Sequence, residues 1–273
     1  MQTHLAPRTL KGTQKPQKDV QVLFAAKPSG KAILFIHGFT GDAIKTWSDF
    51  HLLLPECSKC EGRDLFFYGY DGLRAEMNAS ASIFRGFLDG LFGNTLSFLR
   101  DNLPPSAQRP TEFEYSELVI VAHSLGAVIT RRALLDATKK NSPWVVKTKL
   151  VLYAPAHKGA RVAELALETA SSFTFLKLFG AGARFASPLI DQLKPNSTAL
   201  TQLLAETLSA CQGGANPHLV ARKVVIAEYE QIVENETFGG DPPPDPIPDT
   251  THTTVCKPRK DFSHPLQHLE DCL

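Results

Sequence analysis

No stretch of this chain approaches the ~18 consecutive apolar residues needed to span a bilayer. Residues 1 to 21 carry Arg8, Lys11, Lys15 and Lys18 but no apolar run, so no secretory signal is visible there. The expectation is a cytoplasmic protein; the basic, acid-poor start also fits a mitochondrial transit segment. Charge bias is missing too. The 29 Lys and Arg residues balance 28 Asp and Glu, which removes any bulk electrostatic pull toward nucleic acid or anionic lipid. Five cysteines, an odd count, argue against a disulfide framework. Cys57 and Cys60 form a lone CxxC with no second pair and no His pair at finger spacing, which speaks against zinc. No thioredoxin-like context supports a redox role, and reduced thiols in a loop are the plain reading. No repeat at solenoid spacing is present.

What remains is a chain of ordinary globular composition, long enough to bury a sizeable core as one domain. Residues 1–19 read as a flexible polar arm and residues 20–273 as a single domain. Ala32–Ile36 and Asp64–Gly69 are short continuous apolar runs of the kind that form strands covered on both faces. Glu117–Ala122, Lys149–Ala154 and Lys223–Ala227 repeat that signal. Between them lie helical patterns, one from Ile83 to Leu103 that Pro104-Pro105 stops, and one from Leu125 to Thr138. Strands alternating with helices imply a mainly parallel α/β sheet flanked by helices. Residues 156–218 interrupt the rhythm as a helical insertion, with amphipathic stretches at 161–179 and 197–210. Asp241 to Pro248 is proline-rich and cannot be a central strand. Ser263–Leu269 reads as a terminal helix.

Ala122-His123-Ser124-Leu125-Gly126 sits between the strongest strand and a strong helix. That is the setting of a nucleophile elbow, where a sharp strand-to-helix turn presents a serine hydroxyl and its neighbours must be small. Ala122 stands where the pattern usually has glycine. The plain alternative is a βα turn whose serine only caps the helix. Gly38 and Gly41, after the strand ending at His37, suit a loop whose backbone approaches a reacting oxygen. Phe39 and Leu125 are the expected donors of an oxyanion hole, a pair of N–H groups that stabilise the transition-state anion. Histidines following Ser124 are His157, His218, His252, His264 and His268. His252, in a loop beyond the last strand region, is the best placed to act as base. Its acid partner should lie just past Lys223–Ala227. Glu228 and Glu230 both qualify, and Glu230 is preferred because the chain should already be turning there.

Several stretches coincide with one family. They are Ile36–Asp42 with Thr46-Trp47, Phe67–Asp71, Val121–Ala127, Ala154–Ala160 and His252–Pro258. On these motifs the chain resembles the lipase-like serine esterases of the α/β-hydrolase fold, in the branch akin to GPI inositol-deacylases. The resemblance implies a catalytic triad of Ser124, Glu230 and His252, acting on a small-molecule or lipid-like ester through an acyl-enzyme. It implies no metal, no organic cofactor and no nucleic-acid partner. The acid departs from the family pattern, since Glu230-Gln-Ile-Val233 stands where Asp-x-Val-Val is usual. An acyltransferase or thioesterase on the same triad, and a lapsed triad serving as a binding module, are the alternatives. The phenylalanines and leucines between Phe173 and Phe185 suit either a lid over the site or an ordinary helical layer.

Overall fold

The computed structural model describes residues 4–10, 19–72, 76–161, 191–234 and 237–273. The apolar runs become the central strands of an eight-stranded sheet. The strands are β1 (Arg8–Thr9), β2 (Gln21–Leu23), β3 (Lys31–Ile36), β4 (Arg63–Tyr68), β5 (Glu117–His123), β6 (Thr148–Tyr153), β7 (Lys223–Ala227) and β8 (Asp245–Ile247). Their order across the sheet is β1-β2-β4-β3-β5-β6-β7-β8. β1 and β2 pair antiparallel, as do β2 and β4, and every other pairing is parallel. Both faces of β3 and β5 are buried, as continuous apolar runs require.

The α-helices among the described residues are α1 (Phe50–Leu53), α2 (Met77–Gly93), α3 (Thr95–Leu99), α4 (Leu125–Lys139), α5 (Thr198–Cys211) and α6 (His264–Glu270), joined by short 3-10 turns. The helix expected over Ile83–Leu103 starts earlier and is broken in two. Asn94 leaves helical φ/ψ, at φ −150° and ψ 73°, and its side chain accepts from the Ser97 amide at 3.2 Å, so it caps α3 instead of continuing α2. The stretch expected at 197–210 is α5, which buries Leu200 and Leu203; most of that at 161–179 lies outside the described residues. Among the described residues no helix is long and apolar enough to cross a membrane.

Two edges of the sheet differ from expectation. The polar arm contains β1, and Leu10 and His4 within it are buried. The His4 ring Nε2 lies 2.6 Å from the Arg63 carbonyl. A few apolar anchors suffice to add an edge strand that composition averages away. At the other end Asp245–Ile247 pairs with β7 despite Pro246, which an edge strand tolerates because one side of it needs no ladder partner.

The switch point between β3 and β5 decides where the site lies. The chain leaves β3 to one side to form β4 and returns on the other as β5, so a crevice opens at their carboxyl ends. Beneath it a buried ion pair ties α4 to the loop before β8. Arg131 pairs with Asp241, donates to the Leu219 carbonyl and lies over the Phe238 ring at 5.1 Å. Asp241 also accepts from the Ala221 amide at 2.8 Å. Removing one partner of such a pair strands a buried charge. Asp241→Ala should therefore lower stability by about 3–5 kcal/mol in urea unfolding, with Arg131→Met/Asp241→Leu recovering most of the loss. A midpoint no lower than that of the exposed control Asp261→Ala would contradict this.

Candidate active site

Ser124 occupies the turn between β5 and α4 with φ 53° and ψ −121°, a conformation costly for a residue with a side chain. Hydrogen bonds hold it there. Its amide donates to the Tyr153 carbonyl at 3.1 Å, and its carbonyl accepts from the Ala127 amide at 3.1 Å. Close packing explains the residue types around it. A Cβ on Gly126 would lie 2.4 Å from the His37 carbonyl oxygen, and one on Gly38 would lie 2.8 Å from the Ser124 Cβ. Ala122 is buried in the strand below, where its methyl is accommodated.

The Ser124 Oγ lies 3.0 Å from His252 Nε2. The other ring nitrogen, Nδ1, lies 3.1 Å from both carboxylate oxygens of Glu230. All three side chains are removed from solvent; His252 and Glu230 are 0% exposed. A carboxylate accepts, so Nδ1–H donates to Glu230 and Nε2 is left to accept from the serine hydroxyl. Glu230 is itself oriented. Its Oε1 accepts from the amides of Ile232 at 2.9 Å and Val233 at 3.1 Å, in the tight turn that follows β7. Glu228 goes elsewhere: its carboxylate accepts from the Asp249 amide at 2.9 Å on the exposed side of the same turn.

β8 delivers the histidine. By pairing parallel to β7 it carries the chain back to the carboxyl end of the sheet, where Tyr229 donates to the Thr250 carbonyl at 3.0 Å. A turn closed by Val255 donating to Thr251 then places His252 over Ser124. The other histidines after Ser124 do not reach it. His157 donates to the Ala127 carbonyl at 3.1 Å and stacks on Phe238, and His218 lies against Thr138. His264 and His268 sit on α6. Cys256, near His252 in sequence, directs its thiol to the Thr46 carbonyl, and burial pushes that thiol up to about 12.

Two further histidines hold the framework. The His37 ring stacks on Tyr70 at 4.4 Å and accepts from the Tyr70 amide through Nε2 at 3.3 Å. That fixes the tautomer, so Nδ1–H donates to the Gly38 carbonyl at 2.8 Å. In a trans peptide the N–H points opposite to the C=O. Pinning the Gly38 carbonyl therefore aims the Phe39 amide to the other side, and Thr40 beyond it is held at φ 56°. Leu125, the first residue of α4, has no acceptor for its amide within the helix. His123, directly before Ser124, donates from Nε2 to the His252 carbonyl at 2.9 Å. In the sequence His37 and His123 lie within the motifs around Gly38 and Ser124, and neither motif gives them a role. The signal for His123 was its place as the last residue of the strand below the turn.

No protein-family model and no curated protein matches the chain. Solved structures do. The peroxisomal α/β-hydrolase Lpx1 of Saccharomyces cerevisiae is similar over 98% of this chain and 88% of its own, at 11% identity and a TM-score of 0.52. The chain has the α/β-hydrolase fold. A lipase of Bacillus licheniformis, BlEst2 in mature form, is 13% identical over 96% of both chains at a TM-score of 0.49. An esterase from Pseudomonas putida covers 84% of this chain and 65% of its own, at 14% identity and a TM-score of 0.49. Within the α/β-hydrolase fold seen here, the crevice at the β3–β5 switch point holds Ser124, His252 and Glu230 together.

Burial sets the electrostatics of this region. Desolvation holds His123 well below its ordinary 6.5, with the nearby His252 adding to the effect, and desolvation followed by the Arg131 charge does the same to His157. A base depressed in the folded state contributes stability that is fully present above the unfolded value of 6.5. Below that value the unfolded chain takes up protons that the folded chain refuses, so stability falls. Urea midpoints should drop between about pH 8 and about pH 5.5, and the drop should be smaller in His157→Gln. An equal drop in that variant would contradict the assignment to buried neutral imidazole.

Proposed function

We propose that the chain is a serine hydrolase that cleaves a carboxylic ester through an acyl-enzyme. The observation that carries the reading is the continuous hydrogen-bonded chain from Ser124 Oγ through the His252 ring to Glu230, at 3.0 and 3.1 Å. In this reading His252 takes the proton of Ser124 as its oxygen bonds to the ester carbonyl carbon. The carbonyl oxygen becomes an anion, held by the amides of Phe39 and Leu125. Collapse of the intermediate expels the alcohol, which leaves with the proton from His252. Water then repeats the sequence on the acyl-serine, releasing the acid and restoring Ser124. Glu230 keeps Nδ1 protonated and stabilises the imidazolium between steps.

The resemblance of His252-Thr-Thr-Val-Cys-Lys-Pro258 supports placing the chain in the branch akin to GPI inositol-deacylases. All five cysteines are free thiols, which suits the reducing cytoplasm as its location. Glu230 takes the acid position through a turn of its own, and the two amides it accepts keep it fixed although glutamate is one methylene longer than aspartate.

Mutation of the two glutamates tests the assignment. Glu230→Gln can still hold the ring but stabilises the wrong tautomer, so kcat on p-nitrophenyl butyrate should fall by about 10³–10⁴-fold. Glu228→Gln, whose partner is the Asp249 amide, should lower kcat by less than about threefold, as a surface change does. A larger loss in Glu228→Gln than in Glu230→Gln would overturn the triad as assigned.

A further inference from the structure

Beside the oxyanion loop lies a cleft of about 290 Å³, lined by Gly38, Phe39 and His123 on the side of Ser124. Its remaining wall is polar: Thr40, Asp42, Lys45, Thr46 and Lys257 belong to it. Gly38 stands between the cleft and Ser124, since a Cβ there would lie 2.8 Å from the Ser124 Cβ and 3.0 Å from His123 Nδ1. The cleft thus adjoins the loop that carries Phe39 and the residue that precedes Ser124.

The charges in the cleft do not cancel. Lys45 and Lys257 are cationic, and His123 is held neutral by burial. Asp42 is the one carboxylate in the lining, and it is committed. Its Oδ1 accepts from the amides of Ile44 and Lys45, both at 3.0 Å. Burial pushes its carboxyl up, but those two bonds and the Lys45 charge outweigh it and hold the group below the ordinary range. Among the described residues neither lysine forms an ion pair, whereas Lys139, Lys149, Lys194 and Lys223 each meet a carboxylate. Lys257 is half-buried, and its field reaches the buried His123 ring. Its own backbone is fixed, with its amide donating to Thr254 and Pro258 following. Asp42, within the field of Lys45, offsets one of the two ammonium charges, so the cleft keeps one positive charge in excess, and Lys257 is partly desolvated without an ion pair among the described residues; an anion supplies the missing half.

We infer that this cleft is the subsite for a negatively charged group, a phosphate or a carboxylate, carried by the ester that Ser124 cleaves. Lys257 is its principal ligand from the histidine loop and Lys45 its second from the oxyanion loop. The hydroxyls of Thr40 and of Thr46, whose oxygen accepts from the Asp42 amide, line the same cleft. The inference rests on the serine-hydrolase reading and narrows its substrate class from esters in general to anionic esters. It also divides the substrate: the charged portion lies toward Lys45 and Lys257, and the uncharged portion extends the other way from the serine.

Two matched pairs of esters test this and separate the two sources of charge. Butyryl glycerol 3-phosphate is compared with monobutyrin, which lacks the phosphate on the alcohol side. The hemisuccinate of p-nitrophenol is compared with p-nitrophenyl butyrate, which lacks the carboxylate on the acyl side. The full chain should favour the anionic member of at least one pair in kcat/KM by about tenfold or more, the scale of one charge-assisted contact. The pair that shows the preference identifies the anion. Lys257→Met and Lys45→Met should each pull that ratio toward one, Lys257→Arg should keep it, and the distant Lys139→Met should leave it unchanged. A ratio absorbs any general loss from imperfect folding, and the exposed Lys45 provides a variant with little structural burden. Cleavage of the neutral esters that depends on Ser124, with no anionic preference or with one unmoved by either lysine, overturns this inference alone. Failure to cleave any of the four overturns the hydrolase reading and this inference with it.

Discussion

The site depends on how closely α4 can approach β3. Position 126 sits where any side chain would strike the carbonyls of Ile36 and His37, at 2.5 and 2.4 Å from a Cβ. Glycine there lets the helix start against the strand. That contact throws Ser124 into its positive-φ turn and sets the Leu125 amide beside the loop that carries Phe39. In the proposed reaction, nucleophile and oxyanion donors are thus consequences of a single packing constraint, and neither could be moved without the other. The sheet supplies the rest by topology, since the switch point between β3 and β5 puts both loops at the same end.

Three histidines surround this contact, and each is set in one tautomer by the group that one of its ring nitrogens meets. His37 accepts from Tyr70 and so donates to Gly38, which orients a peptide. His123 donates to the His252 carbonyl, which steadies the loop that carries His252. His252 donates to Glu230, which leaves its remaining lone pair for Ser124. The same side chain serves as clamp, strut and, in the proposed reaction, proton acceptor because its surroundings, not the imidazole, decide which nitrogen holds the proton. Lys45 and Lys257 line a cleft that shares His123 with this ring of histidines.

The sequence was readable wherever burial is two-sided. β3, β5, β6 and β7 announce themselves as unbroken apolar runs, and the small residues around Ser124 mark the turn. Loop position also ranked Glu230 ahead of Glu228, and the structure places Glu230 alone against His252. Edges were harder to see. β1 lies in a polar arm and β8 in a proline-rich stretch, because an edge strand needs few apolar residues and tolerates a missing donor. The break at Asn94 was hidden by apolar periodicity that continues across it, since capping is a backbone event that a hydrophobic pattern does not record. The roles of His37 and His123 were unreadable for a different reason: each depends on a partner, Tyr70 or the His252 carbonyl, that only the folded chain brings near. Lys45 and Lys257 are 212 positions apart, and nothing local marks them as sharing a cleft.

The central claim is that Ser124 is a nucleophile made reactive by His252. It is tested most directly by treating the full chain with a fluorophosphonate and locating the adduct by mass spectrometry of peptides. The account predicts one adduct per chain, on Ser124, formed rapidly in the native protein and lost on unfolding or in His252→Ala. No adduct, an adduct on another residue, or labelling of Ser124 at the same rate without His252 would contradict it.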